Sequence, residues 1–197
     1  MENDTETLDV RDRLMEAATA LLGGSGNIDS TVQEIAALAR VSTKTFYRHF
    51  ADKDDFFYQY WMRRLETVAE RVRAHATAQT DPVERLRAFA TSIFESTDAA
   101  SASGGSAWFH LRVAQTTPDK IAVGHRPLYD LLVTLIEDAQ QAGRVAAGEA
   151  TRLATPMLEL LTVSARDQRI GSSVTPTVPS VDDTVEFCLR GLGATAV

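Results

Sequence analysis

Apolar residues recur at helical spacing along almost the whole 197-residue chain, and this period constrains the fold more than any other feature. The apolar face of the first predicted helix, for example, consists of Val10, Leu14, Ala17, Ala18 and Leu21. No run alternates apolar and polar residues in the way that a half-buried strand does. The pattern therefore predicts an all-α protein of about nine helices.

The composition is typical of a globular protein: 44% of the residues are apolar and 24% are charged. The single cysteine, Cys188, cannot form an intramolecular disulfide, which fits a reducing compartment. The acidic stretch 1–13 lacks the apolar segment of a signal peptide, and no apolar run approaches the ~20 residues of a membrane span. We therefore expect a cytoplasmic protein that has no membrane partner.

The net charge of −7 is unevenly distributed along the chain. Residues 40–73 carry 8 basic and 5 acidic side chains, a net charge of +3, whereas residues 1–39 carry 2 basic and 8 acidic ones, a net charge of −6. A local basic patch on an acidic protein can still bind the phosphates of a nucleic acid. A chance variation in surface charge explains these counts equally well.

Residues 31–50 predict two short helices joined by a tight turn. Thr31 followed by Glu34 forms a capping box that opens the first helix, and Ser42 is a natural N-cap for the second. Together with the preceding helix, this pair makes a helix-turn-helix unit. In such a unit the second short helix enters the major groove of DNA, and its N-terminal residues meet the base edges.

The side chains of the second short helix suit contact with DNA. Phe46 and Phe50 are predicted on its inner side, where they anchor it to the core, whereas Tyr47 has polar neighbours and is predicted to be exposed. Lys53, at the start of the following helix, is placed to reach a phosphate. Taken singly, His49 and Lys53 are equally consistent with ordinary surface residues.

The stretch from Arg11 to Leu65 resembles the N-terminal domain of the TetR family of transcriptional regulators. The string TVQEIAALARVSTKTFYRHFADKDDFF follows that family's pattern nearly residue by residue, above all in the block from Phe46 to Phe50 and in Lys53. The chain departs from the pattern at Arg40, where the family usually has glycine. A left-handed backbone at this position would cost an arginine about 1 kcal/mol.

The resemblance implies roles for individual side chains. The first turn of the second short helix, residues 43–45, corresponds to family positions that contact bases. Residues 47, 49 and 53 correspond to positions that hold the sugar-phosphate backbone, and residue 31 often does so too. Residue 42 joins them because a helix N-terminus can present N–H groups to phosphate. The candidate DNA-binding residues are Thr31, Ser42, Thr43, Lys44, Thr45, Tyr47, His49 and Lys53.

The resemblance also implies an architecture and a function. A three-helix DNA-binding domain over residues 9–69 would precede a six-helix ligand-binding and dimerisation domain over residues 70–197, with a homodimer formed through the last two helices. Family members are mostly repressors that leave a palindromic operator in double-stranded DNA when a small molecule binds the C-terminal domain. We therefore expect a ligand-responsive repressor. An activator of the same fold, or a helical small-molecule-binding protein whose DNA-contacting face is unused, are the alternatives.

The second half of the chain is less informative. Asp81 followed by Pro82 predicts the start of a fifth helix, and residues 119–142 predict a helix that is kinked or broken near Gly124 and Pro127. A shorter helix is predicted over residues 108–115. Ordinary core packing with solvent-facing polar neighbours is the favoured interpretation of any single aromatic or polar residue in this half of the chain. Side chains that could nevertheless line an effector cavity between helices are Phe94, Trp108, Phe109, His110, Arg112 and Tyr129.

No pattern in the sequence indicates an enzyme. The 4 histidines share no spacing typical of metal ligands, and Cys188 has no adjacent catalytic partner. Motifs that present a nucleophile, such as G-x-S-x-G, do not occur. We therefore expect no catalytic activity, no metal and no cofactor.

Overall fold

The computed structural model describes residues 2–24, 29–96, 118–171 and 174–194, and within these ranges it contains eight α-helices and no strand. The helices are α1 (Glu2–Gly24), α2 (Val32–Leu38), α3 (Thr43–His49), α4 (Lys53–Thr77), α5 (Pro82–Glu95), α6 (Pro118–Gln141), α7 (Ala150–Ile170) and α8 (Val181–Gly191). The prediction of an all-α fold is confirmed. The helix predicted over residues 108–115 lies outside the described residues.

The described residues form two compact units. The first contains residues 2–24, 29–64 and 118–121, and the second contains residues 65–96, 122–171 and 174–194. In the first unit α1 packs on α2, and α2 packs on α3. In the second unit α5, α7 and α8 pack against one another in all three pairings. The domain boundary between residues 69 and 70 stays a prediction.

Helix α1 is longer than its apolar face indicates, because it begins at Glu2 rather than near Val10. The apolar face marks the segment that packs into the core, and it does not set where the helix begins.

Helix α6 runs unbroken from Pro118 to Gln141, through both Gly124 and Pro127. A proline within a helix removes one backbone hydrogen bond. Burial compensates for this loss, because Leu128, Leu132 and Ile136 on the following turns are almost completely buried in the core of the second unit. The prediction of one helix over residues 119–142 is therefore confirmed, a break near residues 124–127 is excluded, and a kink there stays a prediction. None of the described helices has an apolar stretch long enough to cross a membrane.

The N-terminal caps predicted from the sequence are present. The Thr31 N–H donates to Glu34 Oε2 at 2.7 Å, and the Glu34 N–H donates to Thr31 Oγ1 at 3.2 Å, which completes the capping box of α2. Ser42 Oγ accepts the Thr45 N–H at 3.0 Å and caps α3. Asp81 Oδ1 accepts the Val83 N–H at 2.8 Å at the start of α5. Local sequence alone therefore sets where these three helices begin.

The turn between α2 and α3 is a Schellman motif whose left-handed residue is Arg40. The Arg40 N–H donates to the Ala37 carbonyl at 3.1 Å, and the Val41 N–H donates to the Ala36 carbonyl at 2.9 Å. Arg40 has φ 55° and is the one non-glycine with positive φ among the described residues. Helices α6 and α8 end in the same hydrogen-bond pattern, but there the left-handed residues are Gly143 and Gly193, both with φ 67°.

We expect Arg40→Gly to raise the free energy of unfolding by roughly 1 kcal/mol, because glycine adopts the left-handed backbone without strain. Urea unfolding followed by circular dichroism measures the change. Arg40→Ala, which keeps a Cβ, should leave stability unchanged. The converse variant is Gly143→Ala, whose Cβ would meet nothing within 4 Å and which should lose about 1 kcal/mol. Equal stabilisation by Arg40→Gly and Arg40→Ala would contradict the backbone explanation.

Candidate nucleic-acid interface

Helix α3 is held to the first unit by an aromatic cluster. Phe46 is 0% exposed, and its ring centroid lies 5.4 Å from that of Phe50 and 5.4 Å from that of Phe56. The Phe50 and Phe56 centroids are 5.1 Å apart, and the Arg11 guanidinium lies over the Phe50 ring, 5.5 Å from its centroid. A helix of two turns is too short to be stable by itself, so this cluster fixes its position.

The opposite side of α3 is exposed and polar. Lys44 and Arg48 are exposed, and Tyr47 is 57% exposed with its ring edge-on to Phe46. The predicted distinction between an inner Phe46 and an outer Tyr47 is therefore confirmed. Thr43, Thr45 and His49 are half-buried at the flanks of this face. The face combines cations, an aromatic hydroxyl and small hydroxyls on a rigid helix, which are the groups that contact DNA.

The two capping side chains already have partners within the protein. Besides accepting the Glu34 N–H, the Thr31 hydroxyl donates to Glu34 Oε2 at 2.9 Å. Ser42 Oγ lies 2.8 Å from Thr45 Oγ1, which places a hydrogen bond between these two hydroxyls. The hydrogen bonds from Thr31 lower the pKa of the Glu34 carboxyl, helped by the positive charge of Lys53. The side chains of Thr31 and Ser42 thus stabilise the N-terminal ends of α2 and α3.

A network of hydrogen bonds fixes the turn between α3 and α4, where Lys53 lies. Asp55 accepts the Ala51 N–H at 2.9 Å and the Gln59 side-chain amide at 2.9 Å, and Asp52 Oδ1 accepts the Asp55 N–H at 2.8 Å. Gln59 in turn accepts a hydrogen bond from the Arg11 guanidinium on α1. Hydrogen bonds thus connect α1, through Gln59 and Asp55, to the turn that precedes α4.

The pKa of His49 is lowered from its ordinary 6.5, mainly by partial burial and further by the positive charges of Arg48 and Arg11. The imidazole of the free protein is therefore neutral at pH 7. A neutral imidazole can still donate one N–H bond, and an approaching anion would favour its protonated form. Among the candidate residues, His49 is thus the one whose charge depends on what binds beside it.

Arg48 is absent from the residues predicted from the sequence, although it is exposed on α3 one turn after Lys44. The family resemblance implies contacts for the tyrosine and the histidine on either side of it and not for residue 48. The exposure of Arg48 was nevertheless predictable from the helical period, because a helix with Phe46 and Phe50 on its inner side must place residue 48 on its outer side.

The candidate effector residues are only partly described. Phe94 is buried in the core of the second unit, and Tyr129 packs against that core, with its hydroxyl donating to the Thr151 carbonyl at 3.3 Å. The other four, Trp108, Phe109, His110 and Arg112, lie outside the described residues.

In the ranges that the structure describes, no group of three or more His, Cys, Asp or Glu side chains could hold a metal ion. Burial raises the pKa of the Cys188 thiol to about 11, so this thiol is protonated and poorly nucleophilic at neutral pH.

The N-terminal region is similar in sequence to known transcriptional regulators. The model of the family described as bacterial regulatory proteins, tetR family, matches residues 14–60. The chain is 36% identical to the HTH-type transcriptional regulator HbdR of Aromatoleum sp. (strain CIB) over 76 residues, which are 39% of this chain and 33% of HbdR. It is 32% identical to the probable acrEF/envCD operon repressor of Escherichia coli (strain K12) over 84 residues, 42% of this chain and 38% of that protein. The matches thus span about a third of the length of these relatives.

The likeness in fold extends over nearly the whole chain. A transcriptional regulator FadR from Bacillus subtilis, solved in complex with stearoyl-CoA, matches with a TM-score of 0.75 at 17% sequence identity, covering 91% of this chain and 97% of that one. At this identity the match shows the fold alone. The all-α fold and the exposed polar side of α3 define the class of the protein, a helical protein with an N-terminal helix-turn-helix unit. Residues 14–60 match the N-terminal region of the TetR family, and the likeness beyond these residues is one of fold.

Proposed function

We propose that the protein is a sequence-specific DNA-binding transcriptional regulator that acts in the cytoplasm. The observation that carries this proposal is the two-sidedness of α3, with Phe46 buried and Lys44, Tyr47 and Arg48 exposed on the other side. Such a helix can enter a major groove without losing its anchor. The proposed DNA contacts include all eight residues predicted from the sequence, with residues 43–45 at bases and residues 31, 42, 47, 49 and 53 at phosphates.

We propose further that two copies bind one palindromic operator through a homodimer formed by α7 and α8. These helices pack on each other, and each leaves a large apolar side chain exposed, Val163 on α7 and Phe187 on α8. Exposed apolar side chains on neighbouring helices favour association with a second copy. The dimer would place its two α3 helices in successive major grooves, ~34–36 Å apart.

We propose in addition that the protein is a repressor and that a small-molecule effector releases it from DNA. The E. coli relative is named as a repressor, and the FadR neighbour was solved with stearoyl-CoA. Long-chain acyl-CoA is therefore the first class of effector to test. Release requires that the effector bind more tightly to a conformer in which the two α3 helices do not match the grooves. Phe94 and Tyr129 stay candidates for contact with it.

Fluorescence anisotropy with labelled duplexes from the DNA flanking the gene tests this proposal. We expect one duplex to bind at least about a thousandfold more tightly than a scrambled duplex at physiological salt, with a footprint of two-fold symmetry. Stearoyl-CoA is expected to release the bound duplex, with free coenzyme A as the control. Equal affinity for all duplexes would contradict the proposed function. In vitro transcription from the bound duplex distinguishes a repressor from an activator.

The proposed contact of His49 with phosphate predicts that binding depends on pH. Because the pKa of His49 is lowered in the free protein and a phosphate would raise it, the complex binds more protons than the free protein does. Operator affinity should therefore increase as the pH falls from about 7.5 to about 6, by at most about tenfold per pH unit for each protomer.

Anisotropy titrations across this pH range measure the effect in the wild type, in His49→Asn and in His75→Asn. The pH dependence should be reduced in His49→Asn and kept in His75→Asn, whose imidazole is 2.8 Å from Ser92 Oγ on α5 in the second unit. A His49→Asn variant with the full pH dependence of the wild type would exclude this contact.

A further inference from the structure

Arg48 has the most outward direction of any residue on α3. Phe46 and Phe50 lie one turn apart and mark the buried side of the helix. At 3.6 residues per turn, Arg48 lies roughly 160–200° around the helix axis from each of them. Lys44 points within about 40° of Arg48, one turn earlier, whereas Tyr47 and His49 lie about 100° to either side of it.

The Arg48 guanidinium has no hydrogen bond or ion pair to any part of the chain that the structure describes. Other arginines of the same unit are engaged: Arg63 donates to Asp12 Oδ1 at 2.8 Å, and Arg11 donates to Gln59. Arg48 is also the exposed cation adjacent to the half-buried imidazole of His49. A free guanidinium on the outer side of a braced helix is available for an external ligand without the loss of an internal contact.

This direction decides which part of DNA Arg48 would meet. When α3 enters a major groove with its Phe46 side towards the protein, its first turn meets the base edges. Beyond that turn, its flanks face the phosphate walls and its outermost residue faces the base edges. Tyr47 and His49 are at the flanks. A guanidinium directed at base edges matches guanine, because its two parallel N–H groups pair with O6 and N7.

We propose that Arg48 is a specificity determinant that contacts a guanine in each half of the operator. This inference rests on the proposed function, and it adds a base contact that lies one turn beyond the first turn of α3. It implies a G·C pair at one fixed position of each half-site, with two-fold symmetry.

Selection from duplexes with a randomised window of ~20 base pairs, about two helical turns, tests the inference with the full chain. We expect the wild type to select a G·C pair at one position per half-site, and Arg48→Ala to lose that preference while it keeps the rest of the consensus. On the selected site Arg48→Ala should bind about 10- to 100-fold more weakly, and on a site with that pair exchanged it should match the wild type. Arg48→Lys, which keeps the charge but not the paired N–H groups, should also lose the preference.

Arg73→Ala removes an exposed arginine of α4 and serves as the matched control, with circular dichroism to verify the fold of each variant. Uniform weakening of Arg48→Ala on all duplexes, with a salt dependence reduced by about 0.9 per phosphate, would assign Arg48 to the backbone and overturn the inference. So would an unchanged consensus in Arg48→Ala, which leaves the proposed function intact. A wild type that selects no sequence overturns the proposed function itself, and this inference with it.

Discussion

Replacement of Phe187 by arginine is expected to convert the protein to a monomer and to weaken operator binding by about 10²- to 10⁴-fold. The Phe187 side chain is 69% exposed, whereas Val185, Cys188 and Leu189 of the same helix are buried within their own protomer. Under two-fold symmetry each proposed interface contains two copies of Phe187, so the substitution would bury two cations without partners. Loss of the second half-site then removes the gain in affinity that comes from linking two binding modules.

Sedimentation equilibrium measures the oligomeric state, and anisotropy on a palindromic duplex measures the affinity. Val174→Arg is the matched control, because Val174 is 100% exposed in the loop before α8. This control should stay dimeric and bind as the wild type does. A Phe187→Arg protein that remains a dimer would place the interface elsewhere. A monomeric variant that keeps full operator affinity would show that dimerisation is not needed for binding.

Phe46→Ala is expected to destabilise the first unit by about 3–5 kcal/mol and to abolish specific DNA binding. Phe46 is 0% exposed and contacts the rings of Tyr47, Phe50 and Phe56. Its removal leaves a cavity, and α3 loses the contact that holds it. Since α3 has only 7 residues, the helix would not persist without this anchor.

Urea unfolding monitored by circular dichroism measures the loss of stability. The control is Tyr47→Ala, which removes an exposed ring from the same helix and should cost less than about 1 kcal/mol. The two variants distinguish the anchoring of α3 to the first unit from the contact of α3 with DNA, because Tyr47→Ala should weaken DNA binding without unfolding the unit. A Phe46→Ala protein as stable as the wild type would mean that the aromatic cluster does not support α3.

The amino-acid sequence by itself determined the features that depend on short-range interactions. The capping box of Thr31, the N-cap Ser42 and the cap Asp81 were predictable because each satisfies backbone N–H groups within three residues. The inner position of Phe46 and the outer position of Tyr47 follow from the helical period. The sequence left open whether Arg40 takes a left-handed backbone in the turn between α2 and α3, and the structure shows that it does, with φ 55°.

Only the tertiary structure decided the features that depend on residues distant in sequence. Helix α6 continues through Pro127 because the leucines beyond it are buried against other helices, a gain that no local pattern contains. The hydrogen bond from Arg11 to Gln59 joins residues 48 positions apart and connects α1 to α4. The lowered pKa of His49 arises from the burial and the charges of neighbours that folding assembles. Local propensity determines where a helix begins, whereas long-range packing determines how far it continues and which of its side chains remain exposed to a ligand.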